Sequence, residues 1–409
     1  MAIHDPAQLM QERRHLEGLG LRTMQVGAGI GIAVLAATFF LSFYVDHSIK
    51  RFLYSYLTSF VFFLSLSLGA FFFLPLQHLV RAGWSVVVRR IAEIMAVNMA
   101  LLAILFIPIL LGMSVIFKWT DANLAAVDHL IAIKQPYLNL TFFLARALFY
   151  FAVWIGFAMF FFRNSRQQDE SGDPALTLRM EAWSPLAMIL FALTLTFASI
   201  DWIMSLDPHW FSTIFGVYYF AGSVVGFLSL LVLAVYWQQS NGILQNVITK
   251  EHYHDLGKLM FGFVVFWAYI AFSQFMLIWY ANIPETTGWF LRRWQGDWMV
   301  VSLLLFVAHF VIPFFGLISR YPKRQKNILA FWAIWLLVVH YIDLYWLIMP
   351  EYGKAIGAEG IAPFSLLDIG CLIGMGGLYV AGFAFFARGS SLVPMKDPRI
   401  KESLNFHNV

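Results

Sequence analysis

Ten long apolar runs, separated by short polar segments, recur along the chain. None shows the apolar–polar alternation of a half-buried strand, so each predicts a helix. They fall at about 23–44, 52–74, 94–117, 138–162, 183–206, 212–236, 259–281, 298–319, 327–349 and 365–387. A helix of about 20 residues covers the ~30 Å hydrocarbon core of a bilayer. In lipid every backbone N–H and C=O must be paired within the chain, which helices achieve. The expected fold class is an all-α integral membrane protein with ten transmembrane helices. Its expected parts are a 1–22 N-terminal tail, a 23–387 membrane domain and a 388–409 C-terminal tail. The closest pair of spans is the fifth and sixth. Asp207, Pro208, His209 and Trp210 join them, and Pro208 restricts its neighbour and breaks the helix.

Composition narrows the class. Sixty per cent of the 409 residues are hydrophobic and 12% are charged, about half the charged share of soluble domains. That excludes a soluble globular enzyme, a disordered protein and a disulfide scaffold. The single Cys371 forms no internal disulfide and no cysteine-held cluster. A net charge of +4 gives no reason to expect nucleic acid as a partner. The stretches 118–137, 163–182 and 237–258 are too short to build a core of their own. Any redox domain or nucleotide site must then come from a partner. Gly374, Gly376 and Gly377 lie inside an apolar run and read as a helix-packing surface.

The basic residues are distributed unequally. The N-terminus, the 2–3, 4–5, 6–7 and 8–9 connections and the C-terminus carry 19 Lys and Arg; the other connections carry 7. The positive-inside rule then puts both termini on the cytoplasmic side, which an even number of spans permits. The first 22 residues contain Asp5, Glu12 and Glu17 and do not read as a cleaved signal. They read as a tail with Glu12, Arg13 and Arg14 on a wet face.

Ionisable groups within the spans cost roughly 2.5–3.5 kcal/mol each on insertion scales, which makes each a functional candidate. Toward the outer side stand Asp201 on span 5, Arg146 on span 4, and His340 and Asp343 on span 9. The last two are three residues apart and share a helical face. Asp207 and His209 follow in the 5–6 turn. These groups read either as a proton-exchanging pocket or as buried ion pairs, such as Arg146 with Asp201. Toward the inner side stand His78 and Glu93. Glu93 reads as an ion pair with Arg89 or Arg90, or as the inner mouth of a proton path.

Histidine spacing bears on metals. His309 and His340 sit within about 5 Å in depth on antiparallel spans, so one haem is geometrically allowed. Asp343 gives His340 another partner, which favours a proton relay or a packed polar core. The string Glu251, His252, Tyr253, His254 and Asp255 reads as a solvated loop between spans 6 and 7, not as a metal site. Tryptophans at span ends (Trp183, Trp202, Trp210, Trp237, Trp279, Trp289, Trp294, Trp298 and Trp346) read as interface anchors.

Two segments carry a resemblance. One runs Ser205-Leu206-Asp207-Pro208-His209-Trp210-Phe211-Ser212-Thr213-Ile214-Phe215-Gly216-Val217-Tyr218-Tyr219-Phe220-Ala221-Gly222. The other runs Phe272-Ser273-Gln274-Phe275-Met276-Leu277-Ile278-Trp279-Tyr280-Ala281-Asn282-Ile283-Pro284-Glu285. With the length and span count, the chain resembles the ActF-type membrane subunits of bacterial alternative complex III. These are similar to the ActC type and to the wider NrfD/PsrC family. The resemblance implies two four-helix bundles, spans 2–5 and 6–9, flanked by spans 1 and 10. It implies a multi-pass protein of the bacterial inner membrane, within a menaquinol:cytochrome c-type oxidoreductase of a respiratory or photosynthetic chain. The implied partners are an ActC-like paralogue, an iron–sulfur subunit, multihaem and monohaem cytochromes, small membrane subunits, lipids and, as an optional addition, a terminal oxidase. No cofactor is expected on this chain. Haem and iron–sulfur clusters belong to the partners, and menaquinone is an optional ligand.

Four functional readings follow. The first is a non-catalytic subunit that supplies a scaffold and a proton path through His78, Glu93, His309, His340, Asp343, Asp201 and Arg146. The second is a quinone-binding subunit, with Asp207 and His209 near the ring and Trp202, Phe211 and Tyr218 around it. The third is a scaffold alone, with the polar groups as ion pairs. The fourth, a secondary transporter, is disfavoured because Pro108 and Pro313 form no symmetric pair of broken spans.

Overall fold

The computed structural model describes residues 9–45 and 49–408, and all regular structure among them is helical. Ten helices are long and apolar enough to cross a membrane. In chain order they are α1 (Glu17–Val45), α2 (Ile49–Leu79), α3 (Val86–Leu111), α4 (Leu140–Ser171), α5 (Ala175–Trp202), α6 (Phe215–Ser240), α7 (Lys250–Ala281), α8 (Asp297–Ile318), α9 (Lys326–Ala355) and α10 (Leu366–Ala387). Each overlies one of the ten apolar runs, and most extend into the flanking polar segments.

Helix α2 is apolar on every face and buried almost end to end, as expected of a helix surrounded by others. It touches α3, α5, α6, α9 and α10. Gly69 lets α6 approach closely: a methyl there would collide with the Ser223 carbonyl oxygen. The helices α2 to α5 touch in sequence and α5 returns to α2; α6 to α9 do the same and α9 returns to α6. Outside these, α1 packs along α10. A methyl at Gly27 would lie 2.8 Å from the Gly377 oxygen, and one at Gly374 would lie 2.6 Å from Leu35. Small residues are the usual means of bringing membrane helices this close.

Two spans are interrupted, and each carries a proline that removes a donor. In α3 the regular turns pause at Asn98 and Phe106, and Pro108 opens the next segment. In α8 a π-helical stretch runs from Phe306 to Val311, with Pro313 just beyond it. Pro313 cannot donate to the carbonyl of His309, and the widened turn accommodates that loss.

Several expectations about the span ends require correction. Helix α1 begins at Glu17, and Asp5 lies outside the described residues. Glu12 is half-buried, its carboxylate accepting from Asn246, whereas Arg13 is exposed as expected. The Arg13 and Arg14 carbonyls accept from Leu244 and Leu392, 3.0 and 2.9 Å away. The 251–255 string is not a solvated loop. It forms the first turns of α7, capped by Thr249, and all five residues are buried. The C-terminal helix Ile400–Leu404 covers it, with His252 Nε2 3.1 Å from the Ser403 oxygen, and Arg324 pairs with Glu251. The tryptophans divide into two sets. Trp183, Trp237, Trp279 and Trp294 are exposed, whereas Trp202, Trp210, Trp289, Trp298 and Trp346 are core residues.

Candidate functional site

The buried polar groups of the second ring of helices meet at Asp343. Spacing by three residues puts His340 and Asp343 on one face of α9, and that face is turned inward. Tyr218 of α6 donates to Asp343 Oδ1, and Trp267 of α7 donates from Nε1 to Oδ2 at 3.2 Å. One carboxylate thereby ties three helices together. The Trp267 ring lies against His309, with ring centroids 3.7 Å apart. His309 sits in the π-helical turn of α8, and neither of its ring nitrogens has a partner among the described residues.

His340 reaches the opposite way, into α2. Its Nε2 shares a hydrogen bond with Ser65 Oγ at 2.8 Å, while Nδ1 has no partner among the described residues. The imidazole fits only because α6 presents glycine there. A methyl at Gly226 would lie 2.8 Å from Cδ2. One at Gly222 would lie 3.1 Å from Nδ1 and 3.8 Å from Asp343 Oδ2. Gly222 therefore flanks both the free imidazole nitrogen and the carboxylate.

Further polar groups continue along α2 and α3. Ser67, two residues on and on the opposite face of α2, lies 3.0 Å from the Tyr379 hydroxyl of α10. Asn98, at the break in α3, donates to the Tyr379 carbonyl at 2.9 Å. Glu93 follows five residues earlier. It accepts from Arg90 Nε at 2.8 Å and lies 3.8 Å from Arg89. Arg90 also donates to Ser165 and Asp169 of α4 at 2.9 and 2.8 Å, and Arg89 pairs with Asp397 of the C-terminal segment. Glu93 is thus an ion pair, as one reading of the sequence has it. It lies in a network that is buried except for the part-exposed Asp169 and is closed over by the C-terminal segment. His78 is buried as well, stacked on Phe161 at 5.4 Å.

The remaining candidates lie elsewhere. Arg146 and Asp201 form a two-pronged pair, with Nε to Oδ2 at 2.8 Å and Nη2 to Oδ1 at 2.9 Å. Tyr150 donates to the same carboxylate at 2.8 Å. Asp201 therefore fits the ion-pair reading. Trp202 packs against Phe106, Phe151 and Trp154 within the first ring. Phe211 is exposed beneath Lys134, and Tyr218 belongs to the Asp343 cluster. The structure does not bring these three rings together around one ligand.

Asp207 and His209 lie at the end of the molecule where α5 meets α6. Asp207 pairs with Arg292 and with Lys354, and His209 Nε2 lies 2.6 Å from Asp128. Burial raises the Asp207 carboxyl, but Lys354 and Arg292 outweigh it and hold Asp207 below its ordinary value. The hydrogen bond from His209 does the same for the half-buried Asp128. Arg292 also reaches Glu351, 3.3 Å away. Its neighbour Arg293 is wholly buried over the Trp289 ring and donates to three carbonyls. Burial pulls its guanidinium down to about 9.

Ser65, Ser67, Trp267, Tyr379, Glu351 and the two arginines were not singled out from the sequence. The glycines at 222 and 226, one turn apart on α6, carry a legible signal, because that spacing marks a close helix contact. A serine in an apolar helix carries none. A scan against protein-family models and a search of curated proteins both return no match for this chain.

Proposed function

We propose that this chain is a non-catalytic membrane subunit of a menaquinol:acceptor oxidoreductase of the alternative complex III kind. In it the chain provides a scaffold and a route for protons. The resemblance of the 205–222 and 272–285 segments supports the assignment to that class of complex. It also supports the bacterial inner membrane as location and the ActC-like, iron–sulfur and cytochrome subunits as partners. The two closed rings of contacts, α2 to α5 and α6 to α9, are read as the two four-helix bundles of that family. The 19-to-7 division of basic residues supports cytoplasmic termini.

One observation carries the proton route. A carboxylate, two imidazoles and a series of hydroxyls lie in the apolar core from His309 and Asp343 toward Glu93, and three buried imidazole nitrogens there have no partner among the described residues. Proton transfer needs groups within hydrogen-bond reach, directly or through water. The direct links are Tyr218–Asp343, Ser65–His340 and Ser67–Tyr379. The intervals beside His309, between Asp343 and His340, between Ser65 and Ser67, and between Asn98 and Glu93 are read as water-bridged, because unpaired buried polar groups recruit water. Arg146 and Asp201 are assigned to holding α4 against α5.

The test is the proton-to-electron ratio of the complex in proteoliposomes. Asp343→Asn keeps the shape of the site and removes its titratable group. A lowered ratio with electron transfer retained supports the route. An unchanged ratio removes Asp343 from it.

A further inference from the structure

On its outward side α7 leaves a second feature that the proton route does not use. A cleft of about 710 Å³ lies between α7 and α8, floored by Tyr218 and Trp267 and walled by Phe275, Phe306 and Phe310. A smaller cleft of about 420 Å³ shares Phe275, Phe290 and Trp294 with it and reaches Asn282 and Thr287 beyond the end of α7. Together they form one groove, open sideways along lipid-facing residues such as Tyr269 and Phe272. From Asn282 to Gln274 the groove descends about 12 Å, and from Gln274 to Val265 another ~13 Å. That total is close to the thickness of one leaflet, half of a bilayer of ~40–45 Å.

One polar group in this groove is left over. Gln274 is only 2% exposed and lines the cleft. Its Oε1 accepts from Ser212 at 3.3 Å, and its Nε2 has no partner among the described residues. The other buried polar groups of the cleft are satisfied internally. Tyr218 and Trp267 donate to Asp343, Trp346 donates to Ser302, and Ser302 donates to the Arg293 carbonyl. An amide donor facing hydrocarbon is costly unless an acceptor meets it.

We propose that this groove seats one acyl chain of a bilayer glycerophospholipid. The ester carbonyl accepts a hydrogen bond from Gln274 Nε2, and the chain runs down toward Val265 and Phe310. The wall geometry favours a flexible chain over a flat conjugated head. Neighbouring wall rings meet edge-on or tilted, at 77° (Phe275–Phe290), 45° (Phe275–Trp294), 53° (Phe290–Trp346) and 48° (Phe306–Phe310), which gives an irregular wall that a flexible chain follows more closely than a flat ring. A single free donor also suits one carbonyl better than a ring with polar groups at both edges. The lipid site does not depend on the electron-transfer reading.

The experiment uses the full chain in nanodiscs of phosphatidylcholine brominated at mid-chain, a contact quencher of tryptophan. The sample is then washed with unbrominated lipid. The groove brings Trp267, Trp294 and Trp346 to the lipid, so quenching that outlasts the wash is expected. Gln274→Leu removes the donor and should shorten retention about fivefold to tenfold, the value of one neutral hydrogen bond. Ala271→Phe fills the cleft and should abolish retention with Gln274 intact. Absence of retained quenching in the unaltered protein overturns the proposal, whatever the variants do. Equal retention in both variants also overturns it. Displacement of the lipid by an equimolar short-chain naphthoquinone would assign the groove to a ring ligand and overturn it as well.

Discussion

His340 Nε2 and Ser65 Oγ, 275 residues apart in the chain, lie 2.8 Å apart in the core where α9, α2 and α6 converge. The contact exists because α6 presents hydrogen instead of a side chain at positions 222 and 226. Gly226→Ala would place a methyl 2.8 Å from both His340 Cδ2 and Leu66 Cδ2. Overpacking of this kind costs about 1–3 kcal/mol. Gly262→Ala is the control, since nothing lies within 4 Å of the added carbon, and it should be neutral or stabilising by about 0.5–1 kcal/mol. Thermal unfolding of the two variants in detergent checks the contrast. Equal midpoints would mean that the His340 site tolerates the methyl.

The Arg146–Asp201 pair gives a second prediction. Both groups are buried and their hydrogen bonds are made. Removing one partner of such a pair leaves an uncompensated charge and costs about 3–5 kcal/mol, whereas replacing both by apolar groups is much milder. Arg146→Met should therefore be more destabilised than the double variant Arg146→Met/Asp201→Leu. A single variant as stable as the unaltered protein would show that the pair does not hold α4 to α5.

The ten spans are legible in the sequence because apolar runs of this length admit no other structure in lipid. So are His340 and Asp343 as neighbours, from their spacing on one helix face. Arg146 with Asp201 could be named as a pair but not preferred over a proton pocket, since the two residues lie on different helices. The 251–255 string misleads for a physical reason. Its polarity reads as solvent exposure, and its burial depends on a C-terminal helix about 150 residues away. Trp202 misleads in the same manner, because a tryptophan near a span end looks alike whether it faces lipid or core. Ser65 cannot be singled out at all, because its role is given by the imidazole that another helix brings to it.

Acid titration provides a further test at the end of the molecule where Asp207 and Asp128 lie. Both carboxyls are held below their ordinary value of 3.8 in the folded chain. The unfolded chain then binds more protons at low pH than the folded one. The stabilisation is fully present above the unfolded value and fades as pH falls through the folded values. The midpoint of unfolding should drop as pH falls below about 4. Asp207→Asn should lower the midpoint at neutral pH and flatten that acid limb. An acid limb of unchanged slope would show that the pairs with Arg292 and Lys354 are not the origin of the dependence.

His309 separates a relay group from a packing group. It is fully buried against Trp267, and both ring nitrogens lack partners among the described residues. Such a group lowers stability relative to an apolar ring of similar shape, because each unmet polar atom carries a desolvation cost of about 1–3 kcal/mol. If His309 only fills space, His309→Phe should leave both unfolding and proton yield at or above their original levels. If it passes protons through water to Asp343 and His340, the same substitution should hold or raise the unfolding midpoint while lowering the proton-to-electron ratio. The proposed route requires that opposite movement of stability and proton yield. A variant that loses stability and retains its ratio would identify His309 as a structural residue and take the α8 turn out of the route.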